Sequence, residues 1–167
     1  KYDTESIYYS VGLKGDILPK LIGSFDVGYR SLSFSTNNKD FNGLGVTSAL
    51  AWTMTPKLKT SFKVSRDFDA AGSGGTYRST MGNIYSIYSI NSDYKLSLNY
   101  GHTLKFFRSD IARGTDSRDE TLDSISLRLH YAPSINYSVT AGYRYVESDS
   151  VQDYDLNEYE ISAQVRY

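Results

Sequence analysis

The stretch 124–147, SISLRLHYAPSINYSVTAGYRYVE, decides how the whole chain is interpreted. Apolar side chains occupy every second position of its first half: Ile125, Leu127, Leu129 and Tyr131. After Ala132-Pro133-Ser134 the alternation resumes with Ile135, Tyr137, Val139, Ala141, Tyr143 and Tyr145. Because successive side chains of a β-strand point to opposite faces, this pattern predicts a hairpin with one apolar and one polar face. Strands of about ten residues, as here, are long enough to cross a bilayer at a tilt.

Composition narrows the class of protein. The 167 residues include 16 Tyr and 7 Phe, and the mean hydropathy of -0.44 indicates no apolar helix of about twenty residues. Low mean hydropathy fits a barrel, whose strands are apolar on one face only. A net charge of -1 favours no polyanionic or polycationic partner, and without Cys we predict neither disulfides nor thiolate metal sites. Residues 1–13 already resemble a strand, so we expect any secretion signal to have been removed.

The same alternation recurs along the chain and predicts nine strands. Short turns are predicted at residues 17–19, 55–57, 91–93 and 132–134. Longer polar loops are predicted at residues 35–43, 67–76, 107–120 and 148–155. Short turns alternating with longer loops are typical of outer-membrane barrels, whose periplasmic turns are tight. We therefore predict an all-β fold, an antiparallel up-and-down transmembrane β-barrel, with residues 1–167 forming a single domain.

Period-two alternation also occurs in soluble sandwiches and lipocalin-like barrels, whose apolar face turns toward a core. The polar face of this chain is rich in Ser, Thr, Gly, Lys and Arg, as a wet lumen would be. Aromatic residues also lie near strand ends by the short turns, where a membrane-interface girdle belongs. The predicted girdle consists of Trp52, Tyr94, Tyr131, Tyr137 and Tyr167. These features favour the membrane barrel over the soluble alternatives.

Two groups of residues resemble a known family. The final strand, YEISAQVRY, is similar to the C-terminal signature of bacterial outer-membrane barrels, in which alternating apolar residues end in an aromatic. The repeated units TPKLKTSFKVSRDF, APSINYSVTAGYRYVES and LPKLIGSFDVGYRSLSF resemble the C-terminal portion of the β-barrel porin family, type two. The resemblance covers essentially the whole chain. It implies a bacterial outer-membrane pore, surrounded by lipid and lipopolysaccharide, inserted by the outer-membrane assembly machinery, and in some members associated with polysaccharide export.

The predicted count of nine strands departs from this family, whose barrels are usually longer. Single-chain bacterial barrels have an even number of strands. Either the chain lacks an upstream part, or the strand at residues 79–90 is miscounted, since Ile84, Tyr85, Ile87 and Tyr88 would occupy both of its faces. A third solution is that another chain or another copy completes the barrel, because open strand edges in lipid are unfavourable.

Charged residues of the polar face would line the lumen of such a barrel. The predicted lining is Lys14, Asp26, Arg30, Lys59, Lys63, Lys95, Arg128, His130, Arg144, Glu160 and Arg166. Basic residues dominate this set, and basic side chains in a pore favour anions, so we predict a mild anion preference. Alternatively, the charges pair across strands and fill a narrow barrel that does not conduct.

The leading functional hypothesis is an outer-membrane pore or export conduit for small or polymeric solutes, such as an anionic polysaccharide. A second is a small closed barrel that anchors structure or displays its loops for binding. A third, a barrel hydrolase, would need His102 or His130 beside a nucleophile such as Ser126 and an orienting acid. Without GxSxG, HExxH or EF-hand spacing we predict no enzyme activity, no metal site and no cofactor. No motif for nucleic-acid binding is present, so we predict no such partner.

Overall fold

The computed structural model describes residues 4–34, 39–70, 76–108, 118–150 and 153–166. Its strands are β1 (Thr4–Leu18), β2 (Leu21–Phe34), β3 (Lys39–Thr53), β4 (Leu58–Ala70), β5 (Thr76–Ser89), β6 (Tyr94–Arg108), β7 (Arg118–Ser134), β8 (Tyr137–Asp149) and β9 (Tyr154–Val165). Each strand pairs antiparallel with its neighbours in sequence, so the nine form one meander. The predicted all-β fold and the count of nine strands are confirmed. None of the described residues forms a helix that is long and apolar enough to span a membrane.

Two of the short turns differ in position from the sequence prediction. The first lies at Pro19 and Lys20, where Lys20 has a φ of 75°. A type II turn accepts Pro at its second position and needs a positive φ at its third, which explains this pair. The break predicted at residues 132–134 was wrong, because β7 continues to Ser134 and the turn falls at residues 135–136. The pairing shifts between Tyr131 and Ser134, and such a bulge tolerates Pro133, which has no N–H to donate.

The strands also extend into every segment that was predicted as a long loop. Strand β3 begins at Lys39, β4 ends at Ala70, β6 ends at Arg108 and β7 begins at Arg118, all inside segments predicted as loops. Likewise β8 extends to Asp149 and β9 begins at Tyr154. The ladder is made of backbone hydrogen bonds, which do not require apolar side chains. The strands therefore continue beyond the apolar alternation from which they were predicted.

The register keeps the two predicted faces apart from strand to strand. On the apolar face Val11 pairs with Val27, and Val27 pairs with Val46. The register also resolves the ambiguous fifth strand, β5. Ile84 pairs with Phe62 and Tyr100 on the apolar face, whereas Tyr85 pairs with Ser61 and Asn99 on the polar face. By alternation Tyr88 joins the apolar face and Ile87 joins the polar face.

Large side chains of the apolar face are exposed. In the interior strand β7, Ile125, Leu127 and Leu129 keep 43%, 45% and 40% of their surface exposed. Among the described residues the buried hydrophobic side chains are Leu32 and Val146, and both lie on the polar face. A soluble sandwich or lipocalin-like barrel would bury its apolar face instead. The arrangement therefore fits an outward face that meets lipid.

The sheet is staggered as tilted barrel strands require. One row of cross-strand neighbours runs through Leu13, Phe25, Ser48, Val64, Gly82, His102, Asp123, Glu147 and Asp155. The row lies near the turn end of β1 but near the loop end of β8 and β9. Strands that tilt around a barrel produce this shift. Its members accordingly change from apolar at β1 to charged at β7, β8 and β9.

Candidate functional site

The candidate site is the polar face of the sheet. The register places the following predicted lining residues on this one face: Lys14, Asp26, Arg30, Lys59, Lys63, Lys95, Arg128, His130, Arg144 and Glu160. Arg166 follows Gln164 by two positions, so alternation puts it on the same face. That this face borders water inside a barrel remains our prediction.

Two arginines of this face are neutralised by carboxylates of β9. Arg128 Nε lies 3.2 Å from Glu160 Oε2, and Arg144 Nη1 donates a hydrogen bond to Glu158 Oε2 at 3.1 Å. Arg144 and Glu158 are direct cross-strand partners, while Arg128 reaches over Gly142 to Glu160. Charge-assisted hydrogen bonds of this kind hold both side chains against the wall. The predicted cross-strand pairing of charges is therefore present over β7, β8 and β9.

Arg30 forms a third pair nearer the loop ends. Its Nη2 donates to Asp67 Oδ2 at 2.7 Å, although β3 lies between the two strands that carry them. Its guanidinium also lies 5.1 Å from the ring centre of Tyr8, a cation–π distance. Arg30 thereby joins β1, β2 and β4 on the polar face.

The lysines of the face behave differently from the arginines. Lys14, Lys59, Lys63 and Lys95 are exposed, and none forms an ion pair with a carboxylate in the described ranges. The nearby carboxylate Asp26 folds over Gly12, where a Cβ would overlap its Oδ1. The wall thus carries unpaired lysines over β1 to β6, which we call the basic sector, and the paired arginines Arg128 and Arg144 over β7 and β8.

A groove crosses the basic sector. Its floor is made of small residues that neighbour one another across strands: Ser24, Ala49, Ala51 and Ser61. Lys14 lines one side, and Lys63 and Tyr85 line the other, around a depression of about 450 Å³. A second depression of about 330 Å³ shares Ala51, Ser61 and Tyr85 and extends toward Lys59 and the turns. We call the two together the Tyr85 groove. Side chains from six consecutive strands line it, so the polar face is concave.

The alternation of apolar and polar residues did not predict that β5 contributes side chains to this groove. Tyr85 and Ile87 break the rule that apolar side chains face outward, so their positions could not be decided without a neighbouring strand. The pairing of Tyr85 with Ser61 and Asn99 decides them. The signal that was available was the run of small residues at Ser24, Ala49 and Ala51, which leaves room above the wall.

Within the described ranges, neither histidine is placed together with the predicted nucleophile Ser126. His130 Nδ1 lies 3.0 Å from Thr140 Oγ1, and Ser126, on the same strand and face, is about 14 Å away along the strand. His102 Nδ1 lies 2.8 Å from Asp123 Oδ1, to which Tyr100 also donates at 2.8 Å, but this cluster is on the outward face. Among the described residues it includes no serine. Nor do three His, Asp or Glu side chains converge on a metal position in the described ranges.

Four of the five predicted girdle residues lie on the outward face near the short turns. Tyr94 and Tyr131 are cross-strand partners whose rings stack at 4.5 Å and 22°. Trp52 pairs with Leu21 and Thr60 and is 43% exposed, and Tyr137 pairs with Val165. Tyr167 lies outside the described residues. The positions suit an interfacial girdle, which stays a prediction.

Comparisons with known proteins give a family match. The model of the family described as Putative beta-barrel porin 2 matches residues 1–167, which is the whole chain. A comparison with curated proteins gives no match.

The comparison with solved structures gives matches at low sequence identity. The outer membrane channel DcaP of Acinetobacter baumannii is 14% identical, with a TM-score of 0.78, 98% of this chain covered and 53% of that chain covered. The porin NanC is 16% identical, with a TM-score of 0.49 and coverage of 99% and 97%. The Yersinia pestis attachment invasion locus protein Ail is 18% identical, with a TM-score of 0.32 and coverage of 90% and 100%. The likeness to DcaP shows a shared barrel fold, and this chain spans about half the length of that channel.

Proposed function

The chain belongs to the Putative beta-barrel porin 2 family of the bacterial outer membrane, and on this premise we propose that it forms part of the wall of a passive pore that favours anionic solutes. A porin family suggests a channel rather than an enzyme. The finer points, namely the preference for anions and the passage of an anionic polysaccharide, rest on the charges of the polar face.

The observation that carries the proposal is the contrast on that face between the unpaired lysines and the paired arginines Arg128 and Arg144. Arg128 and Arg144 are each neutralised by a glutamate, whereas Lys14, Lys59 and Lys63 are exposed and form no ion pair with a carboxylate in the described ranges. Inside a pore, charges that are not paired set the local potential. The excess positive charge over β1 to β6 would draw anions toward the groove.

The proposed pore needs more wall than these nine strands. In the described part of the chain β1 pairs only with β2, and β9 pairs only with β8. Unpaired backbone groups facing lipid cost several kcal/mol each, on the order of a lost hydrogen bond in an apolar medium. We propose that additional strands, from the same polypeptide or from another copy, complete a barrel wider than nine strands. Such a barrel would leave an aqueous lumen that small barrels lack.

The same proposal specifies what the barrel would contact in the outer membrane. The outward face of Leu127 and its neighbours would contact acyl chains, and the polar strand extensions at the loop ends would contact lipopolysaccharide. The outer-membrane assembly machinery would recognise the last strand. Polysaccharide would pass in an extended form along the basic sector.

The test is single-channel conductance of the intact porin in a planar bilayer under a KCl gradient. Stable openings with an anion-selective reversal potential are expected. Correctly folded protein that leaves the bilayer silent would contradict the pore and support the closed structural barrel. A cation-selective reversal potential would contradict the role assigned to the lysines. Added sulfated dextrans of increasing size then test passage of a polymer, with neutral dextrans of the same sizes as the control.

A further inference from the structure

We propose that the Tyr85 groove is a binding site for small organic anions in which a carboxylate is attached to a ring, either an aromatic acid or a sugar acid. This inference rests on the proposed function, because it assigns a resting position to a solute inside the pore. It goes beyond a general preference for anions, since it requires a ring as well as a charge.

The floor of the groove provides the space and the apolar contact. Ala49 and Ala51 lie two residues apart on β3, and Ser24 and Ser61 flank them on β2 and β4. No side chain longer than serine stands on these four positions, so the wall is recessed between Lys14 and Lys63. Beside this floor, Ile87 lines the part of the groove that extends toward the turns. A ring fills such a recess better than a bare inorganic ion, because it gains apolar contact.

Tyr85 supplies a flat surface at the edge of the floor. It is 38% exposed, and its ring stacks on no other described aromatic ring. Aromatic rings stack on tyrosine, and the apolar face of a sugar ring packs on it in the same way. Next to it, Asn99 accepts a hydrogen bond from Asn83 Nδ2 at 2.9 Å. This fixes the Asn99 amide, whose own Nδ2 has no partner in the described part of the chain and can donate to a solute.

The charge of the groove selects a negative group. Lys14 and Lys63 lie on one cross-strand row, separated by Ser24 and Ala49. Lys20 and Lys59 line the extension toward the turns, and Asp16 is the one carboxylate among the described lining residues. A carboxylate held between two ammonium groups gains charge-assisted hydrogen bonds. The same bonds would hold it close to the ring-binding surface of Tyr85.

The experiment measures ligand binding to the intact porin in detergent by ligand-observed NMR. The probes are benzoate and glucuronate, with acetate as the acid without a ring and benzyl alcohol as the ring without a charge. Saturable binding of benzoate, glucuronate or both is expected, and the stronger of the two identifies the class of ring. Acetate and benzyl alcohol should bind at least about tenfold more weakly, the factor expected for loss of one charge-assisted bond or one ring contact.

Three variants test the assignment to this groove. Lys63→Gln should weaken binding about tenfold or more, because it removes a charged donor. Tyr85→Leu, which keeps apolar bulk in case Tyr85→Ala does not fold, should weaken binding about three- to tenfold through loss of the flat ring. Lys95→Gln is the matched control, since it removes another exposed lysine of the same face that does not line the groove. It should change the affinity by less than about twofold.

Several results would overturn the inference: no saturable binding by folded protein, equal binding of acetate and benzoate, or an equal effect of Lys63→Gln and Lys95→Gln. These results are distinct from failure of the pore. A porin that conducts but binds no ring-bearing acid contradicts the groove alone, whereas a porin that binds the acid in detergent but leaves a bilayer silent contradicts the pore alone.

Discussion

Arg30 and Asp67 are two strands apart in the sheet, yet their side chains meet at 2.7 Å across β3. The contact is possible because β3 carries glycine where a side chain would intervene. Arg30 pairs with Gly43, and a Cβ on Gly45 would lie 3.2 Å from Asp67 Oδ1. The three strands are therefore joined above the backbone as well as by their ladder.

Breaking this pair should destabilise the fold by a measurable coupling energy. We expect a double-mutant cycle with Arg30→Gln and Asp67→Asn to give about 1 kcal/mol, because the arginine is only 21% exposed and the bond is charge-assisted. The free energies of unfolding are measured by urea titration of protein folded into vesicles. The more exposed pair Arg144–Glu158 is the control, with an expected coupling of about 0.5 kcal/mol or less. Strictly additive effects at Arg30 and Asp67 would show that the contact contributes nothing.

A methyl group added at Gly45 should also destabilise the fold, because it would crowd Asp67 in the same contact. Gly45→Ala would bring a Cβ against Asp67, so we expect destabilisation of about 1 kcal/mol. Gly82→Ala is the matched control, because a Cβ at Gly82 has no heavy atom within 4 Å and a glycine in a strand adds entropy to the unfolded chain. The control should be neutral or stabilising in the same urea titration. Equal losses at both glycines would contradict the close approach.

The two faces can be tested with one substitution at neighbouring positions. Leu127→Arg places a charge on the outward face in the middle of the apolar band and should cost about 2–4 kcal/mol of unfolding free energy. Ser126→Arg places the same side chain on the polar face and should cost about 1 kcal/mol or less. The measurement is again urea unfolding in vesicles. The assignment of faces would be wrong if Ser126→Arg were the more damaging variant.

Trp52, the one tryptophan of the chain, reports the depth of the predicted girdle. Its position beside Leu21 and Thr60 on the outward face, close to the short turn, predicts a location at the lipid headgroups. We expect its fluorescence to be quenched most by lipids brominated near the headgroup. Trp52→Phe removes the signal and controls for any other emitter. Strongest quenching by bromines at the bilayer centre would place the girdle elsewhere.

Much of this architecture could be predicted from the sequence, because alternation of apolar and polar residues is a direct consequence of strand geometry. Leu127 and Arg128 illustrate this, since the polarity of each side chain alone indicates which face of the sheet it occupies. The alternation fails to predict strands where the pairing does not depend on alternating side chains. Residues 39–43 pair as part of β3 through backbone hydrogen bonds without alternating, and Pro133 sits in a bulge that resembles a turn in sequence.

The candidate site was predictable only in part, for a related reason. The face on which Lys63 lies follows from alternation. Whether Lys63 forms an ion pair depends on which carboxylates the strand register brings near it. Glu158 and Glu160 are opposite arginines because of the β8–β9 pairing, which a sequence pattern does not specify. Tyr85 was undecided for the same reason. Its face became evident from its neighbours Ser61 and Asn99.

We expect the unpaired lysines, rather than the more numerous charges of the whole face, to give the proposed pore its preference for anions. The decisive measurement is the reversal potential of the variant Lys14→Gln/Lys59→Gln/Lys63→Gln in a KCl gradient. The control is Arg128→Gln/Glu160→Gln, which removes a neutral pair. We predict that the lysine variant shifts toward equal permeability for chloride and potassium, while the paired variant keeps the selectivity of the unmodified pore. An unchanged reversal potential in the lysine variant would contradict the account.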